Sequence, residues 1–158
     1  MFKSQLLRTA LAFMITSLVA CGTVLAPTSA PQPLPSPGSS WTMKLDQSGG
    51  IAGVSLSLEI TSDGRLTAKD ERSGRVVVQD VPQEAMGRLM QLYSAVQAAT
   101  PKPLPSACAD CFIYDLEVSS GEGLVQIHAD DTTLADSGAA DLIAFLRQLR
   151  DTALRSSP

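Results

Sequence analysis

The stretch from Val54 to Ile60 constrains this chain more than any other. Val54, Leu56, Leu58 and Ile60 alternate with Ser55, Ser57 and Glu59. A period of two puts the apolar side chains on one face of a strand and the polar ones on the other. A strand of that kind needs neighbours to pair with and a cover for its dry face. It therefore belongs to an antiparallel sheet with one side wet. Flanking residues extend the pattern. Trp41, Met43 and Leu45 alternate with polar neighbours before Gly49-Gly50 breaks the run. Asp63-Gly64 and Ser73-Gly74 are hairpin signals, followed by Leu66 with Ala68 and by Val76 with Val78. This half reads as a meander of three or four antiparallel strands.

Helical spacing takes over after Pro82, a residue suited to a first helical turn because the amide hydrogen it lacks has no partner there. Met86, Leu89, Met90, Tyr93 and Val96 recur at that spacing through Ala99, a stripe that reads as core. The helix stops at Pro101-Lys102-Pro103-Leu104-Pro105. Phe112, Tyr114, Leu116 and Val118 then share one strand face, with Asp115 and Glu117 on the other. Gly121-Glu122-Gly123 turns the chain into Leu124–Ala129. Asp136 or Ser137 is placed to cap a last helix, whose Leu142, Phe145, Leu146 and Leu149 form one apolar stripe. The expected fold is α+β: β-meander, α, β-hairpin, α, an antiparallel sheet with two helices packed on one face.

The N-terminal region carries an address rather than a core. Lys3 and Arg8 precede an apolar run from Ala10 to Ala20, which is too short to span a bilayer comfortably. Leu18-Val19-Ala20-Cys21 looks like a lipobox, the site where a bacterial lipoprotein is acylated on its cysteine and cut before it. Gly22 follows in place of an acidic residue, which by likeness to lipoprotein sorting points to the outer membrane or the outer cell surface. Ala26 to Ser40 holds Pro27, Pro31, Pro33, Pro35 and Pro37, too little apolar surface to pack. In polyproline geometry, at about 3.1 Å per residue, such a tether reaches roughly 45 Å. The expected organisation is a signal peptide over 1–20, a lipidated cysteine and tether over 21–40, one domain over 41–154 and a short tail over 155–158.

Charge and cysteine usage narrow the function. With the two leader cations removed, ten Lys and Arg face 16 Asp and Glu. An acidic body repels nucleic acid, and no basic patch interleaved with aromatics offsets this. If lipid consumes Cys21, Cys108 and Cys111 remain as a pair outside the reducing cytoplasm. Their CxxC spacing also fits a zinc knuckle or a thiol oxidoreductase. Zinc would need two more soft ligands, and a redox pair would open a helix, whereas this one precedes a strand. A structural disulfide that shapes the loop is the favoured reading.

Catalytic signals are sparse. His128 is the single histidine and reads as a surface or edge residue sharing a face with Gln126 and Asp130. Asp130-Asp131 with Asp136 lacks the ligand alternation of a calcium loop. Asp70-Glu71 lies between Lys69 and Arg72 in the mixed charge of an exposed turn. No Gly-x-Ser-x-Gly and no phosphate-cradling glycine loop occurs. The expectation is a protein that is not an enzyme and uses no metal, cofactor or small-molecule substrate. One anomaly stands out, Ser48-Gly49-Gly50-Ile51-Ala52-Gly53-Val54. It reads either as a hairpin turn followed by a β-bulge or as a loop that presents an exposed Ile51 to a partner, and the competing view of Ile51 itself places it in the core of the sheet.

From Leu45 to Leu149 the chain resembles the emfourin family, proteinaceous inhibitors of thermolysin-like, protealysin-type metallopeptidases. The likeness rests on Ser48-Gly49-Gly50-Ile51-Ala52-Gly53 and on the Pro82-started helix with Leu89, Met90 and Leu92. The proline-rich loop, Phe112-Ile113-Tyr114 and the closing Leu142–Leu149 helix complete it. The resemblance implies an inhibitor whose partner is a secreted or envelope metallopeptidase; the lipobox adds the lipid anchor, and the loop reading makes Gly49, Gly50, Ile51, Ala52 and Gly53 the expected partner-binding segment. Thermolysin-like enzymes favour a bulky apolar residue on the leaving side of the cut, which Ile51 would supply. The cysteine pair and the lipid anchor depart from the small soluble inhibitor. The alternative is a non-enzymatic envelope lipoprotein, a binding or assembly module that uses the same edge of the sheet.

Overall fold

A computed structural model describes residues 39–98 and 108–156. The leader, Cys21, most of the tether, the Pro101–Pro105 loop and the extreme C-terminus lie outside them. The described residues form the expected α+β fold. Six strands make one open antiparallel sheet: β1 (Trp41–Gly49), β2 (Val54–Thr61), β3 (Arg65–Asp70), β4 (Arg75–Asp80), β5 (Phe112–Ser120) and β6 (Gly123–Asp130). The helices are α1 (Gln83–Ala98) and α2 (Ala140–Ser156), with a short 3-10 turn at Leu134–Asp136. Among the described residues, no helix is long and apolar enough to cross a membrane.

In space the strands run β4-β3-β2-β1-β5-β6, so the first strand is central and the meander grows away from it on one side only. The β5–β6 hairpin completes the other side. A chain leaving β4 at the far edge must cross four strand spacings to reach β5, roughly 19 Å. The 16 residues of α1 rise about 24 Å, enough for that crossing. The helices cover the sheet face that carries Met43, Leu45, Leu58, Ile60, Leu66, Ala68, Tyr114, Leu116 and Val118, all buried. From α1 come Leu89, Tyr93 and Val96, and from α2 Leu142, Ile143, Leu146 and Ala153.

The opposite face is mostly polar, with Val76 and Val78 exposed on it at the β4 edge. Lys44, Asp46, Asp115, Glu117, Gln126 and His128 line a shallow depression on it. Lys44 Nζ lies 2.9 Å from Asp46 Oδ2, and this bond holds the lysine above its ordinary pKa.

Three details differ from the sequence reading. In Arg75-Val76-Val77-Val78 the buried residue is Val77, which pairs with buried Ala68, while Val76 and Val78 are 55% and 47% exposed. Three consecutive valines carry no period, so only the pairing to β3 decides which one faces inward. The last helix starts at Ala140 rather than directly after Asp136, because the 3-10 turn intervenes. Ser137 joins the two, its hydroxyl donating to the Leu134 carbonyl at 2.7 Å and accepting the Ala139 amide at 3.1 Å. Finally, Asp130 does not extend an exposed row with His128 and Gln126. It is fully buried, and its carboxylate accepts the Thr132 and Thr133 amides, each at 2.9 Å.

Candidate functional site

The β1–β2 hairpin is paired without interruption from Thr42↔Thr61 to Gly49↔Val54, so no bulge follows it. Gly50 to Gly53 form the loop. The Gly53 amide donates to the Gly50 carbonyl at 2.9 Å, closing a β-turn with Ile51 and Ala52 at its two corners. Gly49, Gly50 and Gly53 have φ of 97°, 70° and 60°. Residues with a Cβ enter that region only at a cost, and here it is needed on both sides of the turn. Ile51 is 93% exposed. It projects from the end of the sheet and is not part of the core.

Two contacts hold the turn from outside. The Gly50 amide donates to the Cys111 carbonyl at 3.1 Å, one rung beyond the Gly49↔Phe112 pair of β1 and β5. Approach is close: a Cβ on Gly49 would stand 2.5 Å from that carbonyl oxygen, and one on Gly50 would stand 2.7 Å from the Phe112 ring. On the other flank the Arg72 guanidinium donates to the Ala52 carbonyl. Arg72 is itself set by the β3–β4 turn, where Asp70 accepts the Arg72 amide at 3.0 Å and the Ser73 hydroxyl at 2.8 Å. The Ser73 hydroxyl, and then the backbone amides, hold the Asp70 carboxyl below its ordinary value.

Cys108 and Cys111 are joined as a disulfide, their Cα atoms 5.5 Å apart. Phe112, the next residue, is anchored by Asp131, whose Oδ2 accepts the Phe112 amide at 2.9 Å. Asp131 Oδ1 accepts the Tyr114 hydroxyl at the same distance. Burial, and then this bond to a carboxylate, push the Tyr114 hydroxyl above its ordinary pKa. The loop, the disulfide, the β3–β4 turn and Asp131 thus gather at one end of the sheet.

Beneath that end lies a polar foundation. Gln47 on β1 pairs across from Tyr114 on β5. Arg150 of α2, 1% exposed, donates from Nη2 to Gln47 Oε1 at 2.9 Å and from Nε to Asp151 Oδ1 at 2.9 Å. Arg147 stacks over the Tyr114 ring, 5.2 Å from its centroid. The Asp151 carboxylate, 2.8 Å from Nη2, offsets the buried charge, while Nη1 is buried without a hydrogen-bond partner.

Of the residues singled out from sequence, Gly49 to Gly53 and the cysteine pair come together at this end. Cys21 lies outside the described residues. His128 sits on edge strand β6, exposed, with Nδ1 2.6 Å from Asp115 Oδ1. Asp130 and Asp131 serve as turn cap and strand anchor. Among the described residues, no group of three or more His, Cys, Asp and Glu is placed to hold a metal. Gln47 and Arg150 carry no signal in the sequence, and Arg72, Phe112 and Asp131 read there only as an exposed turn, a strand face and an unsuitable calcium ligand. Their contacts join residues as far apart as 103 positions, and no local pattern marks them.

Neither the comparison with protein-family models nor that with curated proteins returns a match.

Proposed function

We propose that this protein is a membrane-tethered inhibitor of a thermolysin-like metallopeptidase, and that the Gly49–Gly53 turn enters the enzyme's cleft with Ile51 leading. The observation that carries this reading is a large apolar side chain, 93% exposed, at the corner of a turn fixed on both flanks. Burying such a side chain in an apolar pocket contributes about 1.5–3 kcal/mol. A turn already held in one conformation loses little further entropy on binding, so more of that gain survives as affinity. Glycines on either side keep the rim of the turn narrow, which lets its backbone approach a cleft closely. By the emfourin resemblance, the pocket receiving Ile51 is the one that takes the residue on the leaving side of the cut. The inhibitor needs no catalytic group of its own, because occupancy of the cleft suffices.

The position of the turn suits a tether. Trp41 opens β1 and Gly49 closes it, so at about 3.4 Å per residue the two ends stand roughly 27 Å apart. A chain anchored through Cys21 enters the sheet at the end opposite Ile51, leaving the turn free to face outward. The deciding experiment titrates thermolysin-like peptidase activity with the purified protein and with Ile51→Asp. Stoichiometric inhibition by the first, lost in the second with unchanged thermal melting, is the expected result. A desolvated carboxylate in an apolar pocket costs several kcal/mol, whereas an exposed one on the free protein costs little. Equal inhibition by both proteins would refute the role of Ile51. No inhibition by either would favour a non-enzymatic envelope lipoprotein acting as a binding or assembly module.

A further inference from the structure

We propose that the Cys108–Cys111 disulfide is a redox-sensitive latch that positions the Ile51 turn, so that its reduction frees the turn while the sheet stays intact. The consequence for partner binding rests on the inhibitor reading above; the latch itself does not.

The route from disulfide to turn is one residue long. Cys111 supplies the carbonyl that accepts the Gly50 amide at 3.1 Å. That carbonyl lies against Gly49 so closely that no side chain fits between them. Its orientation is set from two sides. On the C-terminal side, Phe112 is held by its pairing with Gly49 and by Asp131. On the N-terminal side, residues 109–111 form bends and no strand, and the covalent link to Cys108 fixes the peptide there. A three-residue separation closes too small a ring to restrict the unfolded chain greatly, so the bond contributes little to global stability. What it restricts is the direction of one carbonyl, and that carbonyl is the last rung under the turn. Both cysteines are half-buried, within reach of a small reductant.

Reduction by a dithiol balances simply. One thiolate of the dithiol attacks a disulfide sulfur and displaces the other cysteine as thiolate. The second thiolate of the dithiol then attacks its own sulfur in the mixed disulfide and expels the remaining cysteine. The dithiol leaves as a cyclic disulfide, oxidised by two electrons, and Cys108 and Cys111 take up its two protons as thiols. After that step the acceptor of the Gly50 amide keeps only its C-terminal restraint, the hold of Asp131 and Gly49 on Phe112, and the bond to Gly50 weakens. The Arg72 contact to Ala52 and the internal Gly53–Gly50 bond remain, so the turn swings as a unit and does not dissolve.

Amide hydrogen exchange of the full-length protein, read by NMR before and after dithiothreitol, tests this. Gly50 should exchange about tenfold faster or more in the reduced protein, as expected when one hydrogen bond is lost locally. Central amides of β1 and β2 should be unaffected, and reoxidation should restore the slow rate. The double variant C108S/C111S should match the reduced protein and ignore dithiothreitol. Unchanged Gly50 exchange on reduction would overturn the latch, as would acceleration shared equally by the strands. The peptidase titration separates the two ideas. Faster Gly50 exchange with no inhibition by either form leaves the latch standing and removes the inhibitor reading. Equal inhibition by both forms with unchanged exchange removes the latch alone.

Discussion

Gly49→Ala and Gly53→Ala form a matched pair that isolates how tightly the turn is pressed against the disulfide segment. Both glycines have positive φ, 97° and 60°, so both substitutions carry the backbone cost of placing a Cβ there, about 1–2 kcal/mol. Their surroundings differ. A Cβ at Gly53 has no atom within 4 Å, whereas one at Gly49 stands 2.5 Å from the Cys111 carbonyl oxygen. That oxygen belongs to the backbone and is held by Phe112 and the disulfide, so relief requires opening the β1–β5 rung. Loss of one buried-edge hydrogen bond and local strain add about 1–2 kcal/mol. The expectation is about 1 kcal/mol for Gly53→Ala and about 3 kcal/mol for Gly49→Ala. For a domain of this size those values correspond to Tm decreases of roughly 5 °C and roughly 15 °C. Thermal and urea unfolding followed by circular dichroism give both numbers. Losses that agree within about 0.5 kcal/mol would show that the Cys111 carbonyl is not seated against Gly49, and the positioning argument would fail with it.

Arg150→Ala should cost about 3–5 kcal/mol in urea unfolding, since it removes a fully buried side chain and strands the Gln47 amide. The pair Q47L/R150M should recover most of that loss. Asp70 sits below its ordinary carboxyl value, so its hold on the β3–β4 turn is complete above about pH 4 and fades as the pH falls through the lowered value. An NMR titration of the Ser73 amide should show this with a midpoint below that of a free aspartate, and Asp70→Asn should abolish it. Cys21→Ser should release the protein from the membrane fraction on cell fractionation. Persistence of lipid labelling in that variant would contradict lipidation at Cys21.

Much of the fold is legible in the chain because its signals are local. Alternation over Val54 to Ile60 and 3.6-residue spacing over Met86 to Val96 each need only a few neighbouring residues to declare a face. Turn pairs such as Asp63-Gly64 and Ser73-Gly74 likewise record a backbone requirement at the position where it arises. The glycines around Ile51 belong to the same class: all three announce positive φ, and Gly49 and Gly50 also an approach too close for side chains. Where no period exists, as in Val76-Val77-Val78, the chain is silent, and pairing to Ala68 makes the choice.

Tertiary structure alone decided what those glycines approach. Ile51 was open to a core or a loop reading until the unbroken register of β1 and β2 placed it beyond the last rung. That Arg72 reaches Ala52 depends on β2 pairing with β3; that Cys111 faces Gly50 and that Arg150 lies buried under Gln47 depend on β5 joining the free edge of β1 and on α2 crossing the sheet. Such contacts join residues 20 to 103 positions apart, and each is a hydrogen bond that many donors and acceptors in the sequence could have made. Local patterning fixes which face a residue takes. Only the packed sheet and helices fix which distant partner it meets there, because that depends on strand order and crossing path, which no short window of sequence encodes.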